Sequence, residues 1–121
     1  MASTEAVPEG VEGRLERVVD ASLVTHHVGG QGVFSTPSMI GLMEITAHQS
    51  VLEHLPEGHT TVGYEVCVKH VARVDPGQTV VVTSELKEVR GDRLLFEVSC
   101  THEGRVVGTG THRRAIIPAL A

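Results

Sequence analysis

Aromatic side chains are almost missing from this chain: no tryptophan, one tyrosine and two phenylalanines in 121 residues. A core must therefore be assembled from aliphatic side chains and methionine, which a hydrophobic share of 40% allows. Cysteine is just as scarce. Cys67 and Cys100 form no CxxC pair and are too few for a disulfide framework; lying in apolar, strand-like runs, they read as ordinary buried thiols. No apolar run approaches the ~18–20 residues of a membrane span. A basic surplus is lacking too. The formal net charge of −5 argues against a nucleic-acid surface, because phosphate backbones need a basic face. The opening MASTEAVPEGVEG has neither the basic start nor the apolar stretch of a signal peptide. The expectation is a soluble, cytoplasmic protein with no membrane or nucleic-acid partner. One domain is expected over residues 14–121, preceded by a loose lead-in over 1–13, where Pro8, Gly10 and Gly13 oppose regular structure.

Turn signals divide the remainder. RLERVVDASLVT, 14–25, carries a Val18-Val19 pair that favours a strand, and HHVGGQG, 26–32, is a flexible glycine-rich loop. FSTPSMIGLMEITAHQSVLEHL, 34–55, reads as the one long helix. Thr36 suits its N-cap and Pro37 its first helical position, while PEGH, 56–59, stops it. Four strands follow: TTVGYEVCVKHVAR (60–73), TVVVTSELKEV (79–89), LLFEVSCT (94–101) and VVGTGTHRRAII (106–117), separated by DPGQ, RGDR and HEGR. Val80, Val82 and Leu86 share one face, as do Leu94, Phe96, Val98 and Cys100. Short turns between them predict an antiparallel meander. A strand, a long helix and four strands make an α+β arrangement in which a curled sheet wraps the helix. Only Ser38, Thr46, Gln49, Ser50 and Glu53 mark a polar face on that helix, so most of it is expected to be enclosed.

Against that pattern GLMEITAH, 41–48, is anomalous. On the helical wheel Glu44 falls between Val51 and Leu55, in the middle of the apolar arc, with His48 one turn further on. An ionised carboxylate buried there is costly without a partner. Two readings stand level: a structural Glu44–His48 pair at i, i+4, or a pocket carboxylate acting as general base or holder of water. His70 closes the strand VGYEVCVKH, sharing a face with Val66 and Val68 that Tyr64 continues. Taken singly, such a histidine is more often structural, and a threonine at a helix start more often only a cap. The His26-His27 pair lacks a third ligand at metal spacing, so no metal is expected. Odd spacing puts Cys67 and His70 on opposite faces, which weakens a thiol nucleophile.

Together, VFSTPSMIGLMEITA (33–47), VGYEVCVKHVARVDPGQTVVVTSELKEVRGDRL (62–94) and GTGTHRRAII (108–117) resemble the fluoroacetyl-CoA thioesterase branch of the hot-dog superfamily, over most of the chain from about Val33 to Ile117. The resemblance implies a hot-dog fold that pairs into a homodimer or, by a second pairing, into a tetramer. It implies hydrolysis of a short or small acyl-CoA without a cofactor. Thr36, Glu44 and His70 match the family's catalytic set, with Glu44 either activating water or attacking to form a short-lived anhydride. Gly63 matches a glycine whose amide lies near the thioester carbonyl, and Phe34 and Tyr64 join it as candidate substrate contacts. In a chain of net −5 the phosphates of CoA must be met locally, with Arg113 and Arg114 as first candidates and Lys69 and Arg73 next.

The departures matter as much. The family's specific member has a longer segment before the helix, whose phenylalanines form a lid over the fluoroacetyl group. HHVGGQG is shorter and has no aromatic residue, so the chemistry is carried over without fluoroacetyl specificity. Pro37 stands where glycine is expected. On one straight helix Thr36 and Glu44 are about 12 Å apart, so the site is expected to be completed across a subunit interface. An enoyl-CoA hydratase is a weaker alternative, its Asp–His motif being missing. The alternative from another class is a non-catalytic hot-dog module that binds an acyl-CoA or a small apolar acid.

Overall fold

The computed structural model describes residues 7–121. Strand β1, Glu12–Val18, leads through a 3-10 turn, Ala21–Leu23, into two short strands, β2 (Val24–Thr25) and β3 (Val33–Phe34). Helix α1 spans Thr36–Val51 and ends in a 3-10 turn, Leu52–His54. Four long strands complete the chain: β4 (His59–His70), β5 (Thr79–Arg90), β6 (Arg93–His102) and β7 (Arg105–Pro118). The five long strands form one antiparallel sheet in the order β1-β5-β6-β7-β4. α1 lies across it, packed most extensively against β5 and β1.

The expected meander holds only for β5–β6–β7. β4 does not pair with the strand that follows it; it runs along β7, leaving β1 to pair with β5. The reason lies in the connection. DPGQ is not a hairpin turn but the end of a crossover over residues 71–78. That segment is tied down by Val71 N–H to the Val107 carbonyl (2.7 Å) and by the Val74 carbonyl to Phe34 N–H (2.9 Å). β4 is thus an edge strand, with Val62, Tyr64 and Val66 exposed along it.

The facing pattern of β5 and β6 is as expected. Val80, Val82 and Leu86 meet Leu94, Phe96, Val98 and Cys100 beneath Met39, Leu42, Met43, Ala47 and Val51 of the helix, all buried. Burial pushes the Cys100 thiol up to about 11. Cys67, by contrast, is exposed on the outward side of β4, correcting the expectation of two buried thiols.

Two helix-face assignments also change. Thr46 is buried and donates its hydroxyl to the Leu42 carbonyl at 2.7 Å, because β1 covers that side: a Cβ on Gly13 would stand 2.8 Å from the Thr46 carbonyl oxygen. Ile45 and Leu52, read as enclosed, are 46% and 42% exposed. The lead-in is described only from Val7, residues 1–6 lying outside the described residues, and from there on it is not loose. Val7 is buried in the core, Gly10 N–H donates to the Leu86 carbonyl (2.7 Å), and β1 begins at Glu12.

Phe96 is completely buried and half of the phenylalanine complement, so no other aromatic can close over its loss. Phe96→Ala is expected to cost about 3–5 kcal/mol of stability, read from urea unfolding. A loss below about 1 kcal/mol would mean that the core collapses around the void.

Candidate active site

The head of α1 is capped by Ser35, not by Thr36: the Ser35 hydroxyl accepts the Ser38 N–H at 3.1 Å, and Pro37 follows within the first turn. That exchange frees the Thr36 hydroxyl, which lies 2.8 Å from His70 Nδ1. Phe34 meets the same imidazole edge-on, with ring centres 5.9 Å apart. A Cβ on Gly108, the β7 partner of His70, would collide with the Met39 sulfur, so the bare backbone lets the helix head settle close to this imidazole. The other ring nitrogen, Nε2, is buried with no hydrogen-bond partner among the described residues. An orphaned buried polar atom calls for an explanation. His70, Phe34, Val28, Val33, Val71 and Arg73 line a cavity of about 410 Å³.

A second grouping surrounds Glu44. On β4 a bulge intervenes between Gly63, paired with Arg114, and Glu65, paired with Arg113. A Cβ on Gly63 would stand 2.9 Å from His112 Cε1, 3.0 Å from Arg114 Nη1 and 3.1 Å from Glu44 Oε2, so this position must be bare. Arg114 is 7% exposed. Its Nε donates to Thr61 Oγ1 (2.8 Å), its Nη2 to the Thr61 carbonyl (2.9 Å) and to His48 Nδ1 (3.4 Å), and its Nη1 to His112 Nε2 (3.1 Å). The half-buried Glu44 carboxylate faces this cation across Gly63 without closing to a direct ion pair, and its charge raises the Arg114 pKa against the larger, lowering effect of burial.

The sequence-chosen residues therefore divide. Thr36, Phe34 and His70 come together, and so do Glu44, Gly63 and Arg114, but the groupings sit at opposite ends of β4. Gly63 and His70 are separated by about 20 Å of strand, so Glu44 does not meet His70 within one chain. Of the two readings of Glu44, the structural Glu44–His48 pair does not form, because His48 turns to Thr61 Oγ1 at 2.8 Å. Tyr64 is the unpaired residue of the bulge rather than a continuation of the His70 face. Its ring lies under the Arg93 guanidinium, 4.9 Å away, in a surface cleft shared with Arg113. Arg113 is bound outward to Glu65 at 2.9 Å. Within one chain Arg113 and the buried Arg114 lie apart from the His70 cavity, which Arg73 lines. His112 was missed, though the alternation in THRRA already sets His112 and Arg114 on one face and Arg113 on the other.

Burial lowers the pKa of His48, His70 and His112. Arg114 adds to the effect at His48 and His112, while the Ala72 backbone opposes it at His70 and the Glu65 backbone and the Glu44 charge oppose it at His112. All three imidazoles are thus held neutral near pH 7.

The family model described as fluoroacetyl-CoA-specific thioesterase (FlK) matches residues 12–119. The fluoroacetyl-CoA thioesterase of Streptantibioticus cattleyicolor is 44% identical over 86 residues, covering 70% of this chain and 61% of that protein. The match thus spans less than two thirds of that relative's length. Among solved structures, the fluoroacetyl-CoA thioesterase FlK is 34% identical with a TM-score of 0.84, over 92% of this chain and 88% of that one. A thioesterase-superfamily protein from Thermus thermophilus is 29% identical with a TM-score of 0.84, over 93% and 85%. A hot-dog-like protein from Thermanaerovibrio acidaminovorans, 24% identical with a TM-score of 0.86 over 96% and 87%, shares the fold. The sheet-wrapped helix is the hot-dog fold that the sequence implied.

Two outcomes follow from the geometry. Gly63→Ala forces a methyl into the Arg114–His112–Glu44 cluster and is expected to cost about 1–3 kcal/mol, measured by denaturant unfolding; a neutral result would mean that the cluster moves aside freely. For the histidines, lowered folded-state pKa values mean that the unfolded chain binds more protons. Their stabilisation is present above the unfolded value of about 6.5 and fades as the pH falls below it. The melting temperature should therefore drop between about pH 7.5 and 5.5, and a flat or rising profile would contradict their neutral burial.

Proposed function

Because the chain belongs to the fluoroacetyl-CoA-specific thioesterase family, we propose that it is an acyl-CoA thioesterase, hydrolysing a small acyl-CoA to the free acid and CoA in the cytoplasm. The observation that carries the reading is the division of the site: a Thr36–His70 pair with a vacant ring nitrogen at one end of β4, and a carboxylate set against a buried arginine at the other. Each end lacks what the other has. An antiparallel pairing of two β4 edges, about a twofold axis between Val66 and Cys67, sets Gly63 and Glu44 of one protomer opposite His70 of the partner subunit. The free β4 edge and its exposed Val62, Tyr64 and Val66 support such a homodimer; a tetramer would need a further contact between dimers.

In the assembled site Glu44 takes a proton from water as the water oxygen adds to the thioester carbonyl carbon. The Gly63 amide receives the developing oxyanion. Collapse breaks the C–S bond, and CoA leaves as a thiolate that takes up the proton held by Glu44, which returns the carboxylate to its starting form. His70, neutral and fixed through Nδ1 by Thr36, presents Nε2 to the water or the leaving sulfur. Arg73, at the mouth of the His70 cavity, meets a CoA phosphate. Its Asp75 partner, 3.2 Å away, is an exposed ion pair that a phosphate can displace.

The segment before the helix speaks against fluoroacetyl selectivity in this reading. The segment before the helix turns through Gly29, Gly30 and Gly32, all at positive φ, and offers only a largely exposed Val28 as apolar cover. No helix among the described residues is long and apolar enough to cross a membrane, and the net charge of −5 favours neither nucleic acid nor an anionic surface.

Free-thiol release from a panel of acyl-CoAs tests the activity. Glu44→Gln and His70→Ala are each expected to lower turnover by about 10²–10⁴-fold. Mixing the two inactive variants after subunit exchange should restore about a quarter of wild-type activity, since half the dimers are mixed and each holds one intact site. Failure of either variant to lose tenfold would overturn the assigned roles. No recovery on mixing would overturn the shared site.

A further inference from the structure

His112 has no part in the roles given so far, yet it is 1% exposed and stands in the middle of the carboxylate grouping. Its contacts determine its chemical form. Nδ1 lies 2.8 Å from the Glu65 carbonyl, an acceptor only, so Nδ1 carries the proton. Nε2 lies 3.1 Å from Arg114 Nη1, a donor only, so Nε2 must offer its lone pair. A doubly protonated ring would set N–H against N–H beside a cation. Phe96 stacks on the ring from β6, with centroids 6.3 Å apart, and holds its plane.

Both partners lie where the proposed chemistry happens. The Glu65 carbonyl is the first paired residue after the β4 bulge, so the bond from Nδ1 fixes the backbone beside Gly63. The bond at Nε2 occupies one N–H of Arg114 Nη1, the nitrogen that stands across Gly63 from Glu44. With Nε and Nη2 committed to Thr61 and His48, the other Nη1 proton is left for the gap in front of the carboxylate.

We propose that His112 is a positioning residue: a neutral imidazole that pins the Gly63–Glu65 bulge with one nitrogen and aims the Arg114 guanidinium at the Glu44 site with the other. The proposal rests on the thioesterase reading for its kinetic consequence but not for its structural content, and the tests separate the two. Nitrogen-15 histidine spectra of the wild-type protein at pH 7.5 should show the Nδ1–H tautomer for His112, assigned by loss of its signal in His112→Gln. An Nε2–H tautomer or an imidazolium ring would overturn the proposal whatever the enzyme does.

Kinetically, asparagine can keep the donor towards Glu65 and glutamine the acceptor towards Arg114, so each variant retains one contact. His112→Asn and His112→Gln are each expected to lose about tenfold in kcat, and His112→Ala about a hundredfold, with KM within about threefold of wild type. His112→Ala opens a polar void and is the variant at risk of not folding; the two amide variants keep the test decisive without it. Should folded amide variants of an active enzyme retain kcat within twofold, or should the loss appear in KM alone, the positioning role is wrong. If the wild-type protein cleaves no acyl-CoA, the thioesterase reading fails, while the tautomer still decides whether His112 is locked as described.

Discussion

Holding the Arg114 guanidinium out of water obliges the chain around it to supply acceptors, and four converge on it: the Thr61 hydroxyl and carbonyl, His48 Nδ1 and His112 Nε2. A buried cation without such partners would cost several kcal/mol. Meeting the demand recruits α1, β4 and β7 together. It also explains the acidic residue in the apolar stripe of the helix. Glu44 is tolerated there because a cation, rather than aliphatic side chains, stands opposite, and the bare Gly63 backbone lets the two approach from either side.

In the proposed homodimer, the edge position of β4 ties this cluster to the site. A strand paired on both sides would have closed the site to one chain. As an edge, β4 carries Gly63 near one end and His70 at the other, with a free row of backbone groups between. A twofold axis through such a strand exchanges its ends. In the proposed homodimer, residues too far apart within a protomer become neighbours across the axis, so that a small domain with one helix builds a site of two unlike halves. The Ser35 cap belongs to the same economy of parts: by satisfying the helix N-terminus itself, it leaves Thr36 to hold His70.

The substrate-facing side follows from what the preceding loop lacks. Glycine backbone at positive φ can turn tightly but brings no apolar surface to lay over a small acyl group. The cavity beside His70 is consequently bounded by Val28, Val33, Phe34 and Val71 and edged by the Arg73 cation.

Much of this was legible in the chain itself. Alternation fixed the inward faces of β5 and β6, the Pro37 signal located the start of α1, and Glu44 stood out as a polar residue in an apolar phase, because each is a property of residues a few positions apart. The partners of those residues were not legible. Whether β4 lies beside β5 or β7 and which of Arg113 and Arg114 is buried depend on contacts between positions about 50 apart and on one bulge. That bulge leaves Tyr64 unpaired and reverses the parity of β4, so that Val68 and His70, rather than Glu65 and Lys69, share the inward side with Gly63. Local sequence determined which residues are apolar, bent or charged. Tertiary structure alone decided which charges meet, since a one-residue shift in a strand exchanges its two faces without altering the composition of either.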